Sequence, residues 1–301
     1  MVHEVVSVSL GSRRGDQEVE AEFLGQRFRL RREGTDGDVR RAEQRIRELD
    51  GRVAAIGLGG IDLYLVAGGR RYVVRQALRL ARAARTTPVV DGSLLKHTLE
   101  RRAVRWLDDE GILPLRGRRT LLVSAVDRFG MAEALVERGA DVLFGDLIFG
   151  LGLPIPIRTL GRLRLLARLM LPIVAWLPTT WFYPTGRAQE VNRPRGERFF
   201  RWAELLAGDF HYLHRHMPSQ VEGAAVLTNT VRAHHREWLR ERGVRLLITT
   251  TPELGGHSFA TNLMEGVLVT LSGKRPEALT EAEVLSLLER LGWRPRVAPL
   301  L

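Results

Sequence analysis

The chain uses arginine almost throughout and holds only two lysines among its 46 basic residues, Lys96 and Lys274. Lys96 lies in PVVDGSLLKHTLERR, one turn into a helix start marked by Asp91 and Ser93. A lysine paired with an aspartate makes a proton-transfer couple for oxidising an alcohol, because burial brings the ammonium pKa down towards working pH. Lys96 is the candidate proton mover, and Asp91, or Asp62 in GLGGID, is the acid that orients it. Each also has a structural reading, Asp91 as a helix N-cap and Lys96 as a solvated base; their joint placement after parallel strands favours chemistry. In SLGSRRGD, Ser9, Ser12 and Arg13 follow another strand and suit the carboxylate or phosphate of a small anionic metabolite, since arginine offers two parallel hydrogen bonds.

A second set lies in RRTLLVSAVDRFGMAEALVERGADVLFGDL, residues 118–147. It reads as strand, turn, helix and strand, the first half of a dinucleotide-binding unit. Such a unit wants glycines at the turn and an acid about 20 residues on for the ribose hydroxyls. Here those positions hold Ala125, Asp127 and Gly130, with Asp146 as the acid. Asp127 is opposed to the pattern, because a carboxylate beside a pyrophosphate costs Coulomb energy unless it turns away or pairs with Arg128. The alternative is a plain strand-helix turn capped by Asp127. Further strand ends place Asp209, His211, Asn229 and Thr230 near Ser124 and Asp127, in the crevice where parallel sheets bind ligands. These eight residues, Ser124, Asp127, Gly130, Asp146, Asp209, His211, Asn229 and Thr230, are the candidate cofactor site, for NAD or NADP. His257 and Ser258, in PELGGHSFATN, hold an anion at a helix start or simply cap it.

Other chemistries find less support. There is no cysteine, hence no thiolate nucleophile and no disulfide. His211, His214 and His216, read as strand residues, point to opposite faces and make no metal site, and no nucleophile elbow occurs. The net charge of +11 invites nucleic acid, but the arginines are spread over helix faces, so an anionic small molecule is the expected partner. The longest apolar stretch, Leu169 to Pro184, is too short for a span and broken by Pro172 and Pro178, and the amino terminus lacks a signal-peptide layout. A cytoplasmic protein with no membrane partner is expected.

Elements must position these groups. Alternating and continuous apolar runs predict an α/β chain, a parallel Rossmann-like sheet domain preceded by a smaller α/β domain. Residues 1–113 form the substrate-type domain, 114–272 the nucleotide-binding domain, and 273–301 a helix and tail. Strands are expected over TLLVSAV, ADVLFGDL, LLAGDFHYL, AAVLTNT and VRLLITTT. Asp36 or Asp38 caps the helix that runs to Leu49, and Thr280 with Glu283 forms a capping box.

The segments VSVSLGSRRGD, AIGLGGIDLYL, PVVDGSLLKHTLERR, LLVSAVDRFGMAEAL, GDLIFGLGLPIPIRTL and LLITTTPELGGHSFATNLMEG resemble bacterial proteins labelled quinate 5-dehydrogenase or quinate/shikimate dehydrogenase-like. The resemblance spans nearly the full chain. It implies a substrate domain, a nucleotide domain and a final helix returning to the first. It also implies a serine pair near the amino terminus (Ser7 and Ser9, or Ser9 and Ser12) and a Lys-Asp couple containing Lys96. The chain departs from true shikimate dehydrogenases around Lys96, where their asparagine-containing segment is missing, and at the glycine-poor turn. The expected function is NAD(P)-dependent oxidation or reduction of a small anionic hydroxy or oxo acid. The alternatives are lyase, isomerase or transferase chemistry without a dinucleotide, and a non-catalytic metabolite sensor. In the last, LPIVAWLPTTWFYP is a surface for a homodimer or another partner.

Overall fold

The computed structural model describes residues 1–177, 191–229, 231, 233–251, 253, 254, 257, 258 and 260–301. The first unit runs β1 (Val2–Ser9), β2 (Gln17–Phe23), β3 (Gln26–Gly34), α1 (Val39–Leu49), β4 (Ala55–Gly59), β5 (Tyr64–Ala67), β6 (Arg70–Val73), α2 (Arg75–Ala81), β7 (Val89–Val90) and α3 (Ser93–Asp109). Its sheet has the order β2-β3-β1-β4-β7. The last four strands are mutually parallel and β2 pairs antiparallel with β3. The central strand β1 buries Val5, Val6 and Val8, so both its faces are covered. Edge strand β2 alternates instead, and sets Glu18, Glu20 and Glu22 opposite Arg31, Arg29 and Arg27 of β3.

The second unit runs β8 (Arg119–Leu122), α4 (Phe129–Glu137), β9 (Asp141–Phe144), a π-turn over Asp146–Gly150, α5 (Leu160–Val174), α6 (Glu197–Trp202), β10 (Leu205–Ala207), α7 (Phe210–His216), β11 (Ala225–Thr228), α8 (Ala233–Glu241) and β12 (Leu246–Thr249). After these come a ribbon of β13 (Glu253–Leu254) and β14 (His257–Ser258), then α9 (Thr261–Ser272), α10 (Glu281–Arg290) and β15 (Arg296–Pro299). The sheet order is β15-β12-β11-β10-β8-β9, parallel except for the antiparallel edge strand β15. The fold is therefore α/β with two largely parallel sheets.

Two packing arrangements matter for the site. Helices α9 and α10 return to cover one face of the first sheet, where Leu263, Met264, Val267 and Leu288 join Val5, Phe28, Leu30 and Ala55 in one cluster. The sequence reading had placed residues 261–272 with the second unit. Helix α3 bridges the units: Leu95 and Leu99 belong to that same cluster, while Val104 and Leu107 join a second one that reaches Leu122, Phe129 and Leu135. Burying each such leucine contributes ~1.5–3 kcal/mol.

Several elements differ from expectation. The run LLAGDFHYL is a strand only to Ala207. Gly208 turns the chain at φ +128°, and Asp209 caps α7 by accepting from the His211 N–H. His211, His214 and His216 therefore lie on a helix. The strand expected to Val126 stops at Leu122, and Asp146 opens the π-turn instead of ending β9. Asp38 caps α1, and Thr280 with Glu283 forms the capping box, as the sequence indicated. Among the described residues no helix is long and apolar enough to cross a membrane.

Candidate functional site

Lys96 is positioned from the backbone outward. Gly92 adopts φ +88°, and a Cβ there would meet Thr261 Oγ1 at 2.7 Å and the Asn262 nitrogen at 2.8 Å, so the turn into α3 admits only glycine. Two carboxylates from outside the helix take its free first-turn N–H groups. Asp91 Oδ1 accepts from Ser93 N (3.0 Å), and Glu265 of α9 accepts from Leu95 N (2.9 Å). The other Asp91 oxygen accepts from Leu63 N (2.7 Å) and Tyr64 N (2.9 Å). Asp91 thus anchors the loop that carries Asp62, and of the two acids it is Asp62 that binds Lys96.

The side chains converge where the carboxyl ends of β4 and β8 meet α3. Lys96 Nζ donates to Asp62 Oδ1 (2.7 Å) and Asp127 Oδ1 (3.1 Å), so one ammonium joins the two carboxyl groups. Behind them Arg128 pairs with Glu100 and with Asp209 Oδ2 (2.8 Å), and its Nε lies 3.8 Å from Asp127 Oδ2. Asn229 donates to Asp209 (3.2 Å) and accepts from Phe210 N (3.3 Å), and Ser124 Oγ accepts from Asp209 N (3.4 Å). Exposure grades through the cluster. Arg128 and Glu100 side chains are 1% exposed, whereas those of Lys96, Asp62 and Asp127 are 10%, 13% and 14% exposed. The inner pair is a dry anchor, and the outer three keep a small exposed margin.

Burial and charge set the protonation. Burial pushes Asp62 up to about 7, with Lys96 opposing and the neighbouring Asp127 adding to the rise. Burial also favours neutral Asp127, but Lys96 and then Arg128 outweigh it and hold that carboxyl below its ordinary value. Lys96 is disfavoured as a cation by burial, yet Asp127 and Asp62 raise its pKa above the usual lysine range. The expectation that burial brings Lys96 down is thereby corrected: two adjacent carboxylates outweigh desolvation, and of the outer three groups it is Asp62 that titrates near neutrality. Burial pushes Glu100 up to about 7 despite Arg128. His97, pushed down to about 4 by burial and by Lys96, is neutral beside the cluster.

The nucleotide turn is occupied by the protein itself. Asp146 accepts from Ala125 N (3.2 Å) and Val126 N (2.8 Å), so its carboxylate binds the turn where the pattern required a ribose contact. Gly130 serves helix packing: a Cβ there would stand 2.7 Å from the His97 carbonyl oxygen of α3. With Asp127 at the turn as well, these residues do not fit a pyrophosphate at this position. His211 contributes its backbone N–H to Asp209 (2.8 Å). Thr230 and the side chains of His257 and Ser258 lie outside the described residues.

The proposed carboxylate-binding set is also internally engaged. Ser9 Oγ accepts from Gly11 N (3.1 Å) and Arg32 Nη2 (3.0 Å), Ser12 Oγ accepts from Arg14 N (3.2 Å), and Arg13 pairs with Asp36 (3.3 Å). Ser7 Oγ accepts from Asn262 Nδ2 (2.8 Å), which also donates to Leu58 O and ties β4 to α9. Sequence reasoning named Arg128 only as a neighbour that could pair with Asp127, and missed Glu100, Glu265 and Asn262 as parts of this assembly. One signal was available for Glu100, which stands four residues after Lys96 and hence on the same helix face. Among the described residues no group of three or more acidic or histidine side chains could hold a metal ion.

Comparison with known proteins adds the family. The family described as Domain of unknown function (DUF8754) matches residues 94–300, and Domain of unknown function (DUF8753) matches residues 4–91. No curated protein matches the chain. Among solved structures it is similar to a galactofuranose binding protein (13% identity, 96% of this chain and 98% of that one, TM-score 0.36). It is also similar to a hetero-hexameric glutamate dehydrogenase from Thermus thermophilus (14%, 97% and 73%, TM-score 0.43) and to an NAD-dependent malic enzyme from Thermotoga maritima (10%, 96% and 84%, TM-score 0.35).

Proposed function

The chain belongs to the family described as Domain of unknown function (DUF8754), and because that description assigns no reaction we propose its function from the site: an enzyme that moves a proton at a hydroxyl or carbonyl group of a small polar metabolite. The observation that carries this reading is the Lys96–Asp62–Asp127 cluster at the meeting point of two parallel sheets. Asp62, poised near neutral pH, takes the proton of the substrate hydroxyl. Lys96 stays cationic and donates to the substrate oxygen as negative charge develops on it. Asp127 stays ionised and keeps Lys96 in place, and the Arg128–Glu100–Asp209 anchor holds Asp127. Four carboxyl groups against two cations make the cluster a poor host for an anion and a good one for hydroxyl or ammonium groups.

A second reading keeps the quinate/shikimate dehydrogenase-like activity, NAD(P)-dependent and acting on a small anionic hydroxy or oxo acid. It is favoured by the Lys-Asp couple standing between two parallel sheets, the layout that the resemblance implies. The occupied turn weighs against it. A thermal-shift screen separates the two, since a ligand that binds the native state raises Tm by mass action. Hydroxylated or amino metabolites are expected to raise Tm, with the rise lost in Asp62→Asn, while NAD and NADP leave it unchanged. A rise with one nicotinamide cofactor would put the dehydrogenase first. A metabolite whose affinity survives Asp62→Asn and Lys96→Ala together would place its binding elsewhere and overturn the assignment.

A further inference from the structure

Away from this site, α5 carries two apolar faces. One is buried through Leu163, Ala167 and Leu171. The other leaves Leu165, Leu169, Ile173 and Trp176 at 58%, 63%, 58% and 64% exposure. Leu165, Leu169 and Ile173, four residues apart, form one stripe along a helix about 22 Å long, and Trp176 extends it in the turn just past the helix end. Leu151, Leu153 and Ile155, just before the helix, are exposed as well. Scattered exposed leucines need no explanation, but a continuous stripe backed by a second apolar face does.

Charge indicates what covers the stripe. Residues 147–177 hold Arg158, Arg162, Arg164 and Arg168 and no Asp or Glu. Arg164 is engaged by Glu133 (2.8 Å), while Arg158, Arg162 and Arg168 are exposed on the same helix or just before it. At the far end the Arg75 guanidinium lies 2.9 Å from the Trp176 ring centroid, giving the end of the stripe an aromatic ring with a cation on it. A second copy of the chain fits poorly, because a two-fold axis through the stripe would bring these arginines against their own copies in a desolvating contact. Apolar side chains interleaved with cations and free of acids match the acyl-headgroup boundary of an anionic bilayer.

We propose that the exposed face of α5 docks on an anionic lipid surface, with the helix lying in the plane of the interface. The leucines, Ile173 and Trp176 enter the boundary layer while Arg158, Arg162 and Arg168 meet the lipid phosphates. This concerns docking on a surface, not crossing a membrane, and it is independent of the chemistry assigned to Lys96. It adds a membrane partner where the sequence reading expected none.

Because the chain has no cysteine, Leu169→Cys gives a single labelling position for an environment-sensitive fluorophore. The labelled full chain is mixed with vesicles of phosphatidylcholine alone or of phosphatidylcholine with phosphatidylglycerol, and co-sedimentation is read on the same samples. Binding with a blue-shifted label on anionic vesicles only, weakened by salt, is the expected result. Replacing Arg162 and Arg168 together by Gln should lower partitioning roughly thirtyfold. Both positions are exposed, so the far-UV spectrum and Tm of that variant should match the parent. No binding to anionic vesicles would overturn the proposal. A label already blue-shifted without vesicles, together with a doubled mass in sedimentation velocity, would overturn it in favour of a second copy.

Discussion

Asp62 gives the outer part of the cluster its pH dependence. Its folded-state pKa of about 7 lies above its ordinary value of 3.8. Its contribution to stability is therefore full below about 3.8 and is lost as pH rises through 7. Thermal scans of Asp62→Asn should show a smaller fall in Tm between pH 5 and pH 8 than the parent, and an equal fall in both would remove Asp62 from the titration. Arg128 is the opposite case, a cation that two acids require. Arg128→Met leaves Glu100 and Asp209 buried without their counterion and should cost ~3–5 kcal/mol in urea unfolding at neutral pH. Lys96 and Asp62 were legible in the sequence because lysine is rare in this chain and both follow strands. Glu100 and Glu265 were not, and Arg128 was legible only as a neighbour for Asp127. A charged residue on a helix normally faces water, and Glu100 stands directly before Arg101 and Arg102 in just the pattern of a solvated face.

At the scale of elements, the approach of α3 and α4 decides whether Lys96 and Asp127 can meet. Gly130 permits it by leaving room for the His97 carbonyl. Backbone cannot move aside as a flexible side chain does, so Gly130→Ala should force the helices apart and cost ~1–3 kcal/mol. In the same variant the titration of Asp62, followed by carboxyl carbon NMR, should move down from about 7 as Asp127 recedes. An unchanged titration would show that the helix contact does not position the pair. The first half of the fold was readable from its helix cap at Asp38 and its apolar periodicity. The short elements of the second half were less so. The π-turn follows from Asp146 binding two N–H groups some 20 residues earlier in the chain, and β15 contains Pro299 and Arg296, which read as a tail until an edge of the sheet is there to receive them.

Across the whole molecule, the division between units does not follow the chain. The first sheet depends on α9 and α10 for one of its faces, although they come after the second sheet's last parallel strand. Residues 1–113 alone would expose Val5, Phe28, Leu30 and Ala55, and that fragment should be unfolded or bind a hydrophobic dye. The full chain should unfold in one transition followed alike by near-UV and far-UV circular dichroism. A cooperatively folded fragment would show that the returning helices are dispensable. Sequence periodicity could not reveal this dependence, because an apolar helix face does not say which sheet it will cover.

The turn that holds Asp146 has one more consequence. A carboxylate supplied by the protein fills the place where a dinucleotide-binding turn would receive a ligand's phosphate, which makes Asp146 a tethered guest. Removing the tether should leave a vacancy with the shape and polarity of an anion. Asp146→Ala is then expected to be less stable than the parent, and to recover part of its Tm when acetate or phosphate is added, while the parent gains nothing from the same salts. Chemical complementation of this kind would turn a closed turn back into a receptor.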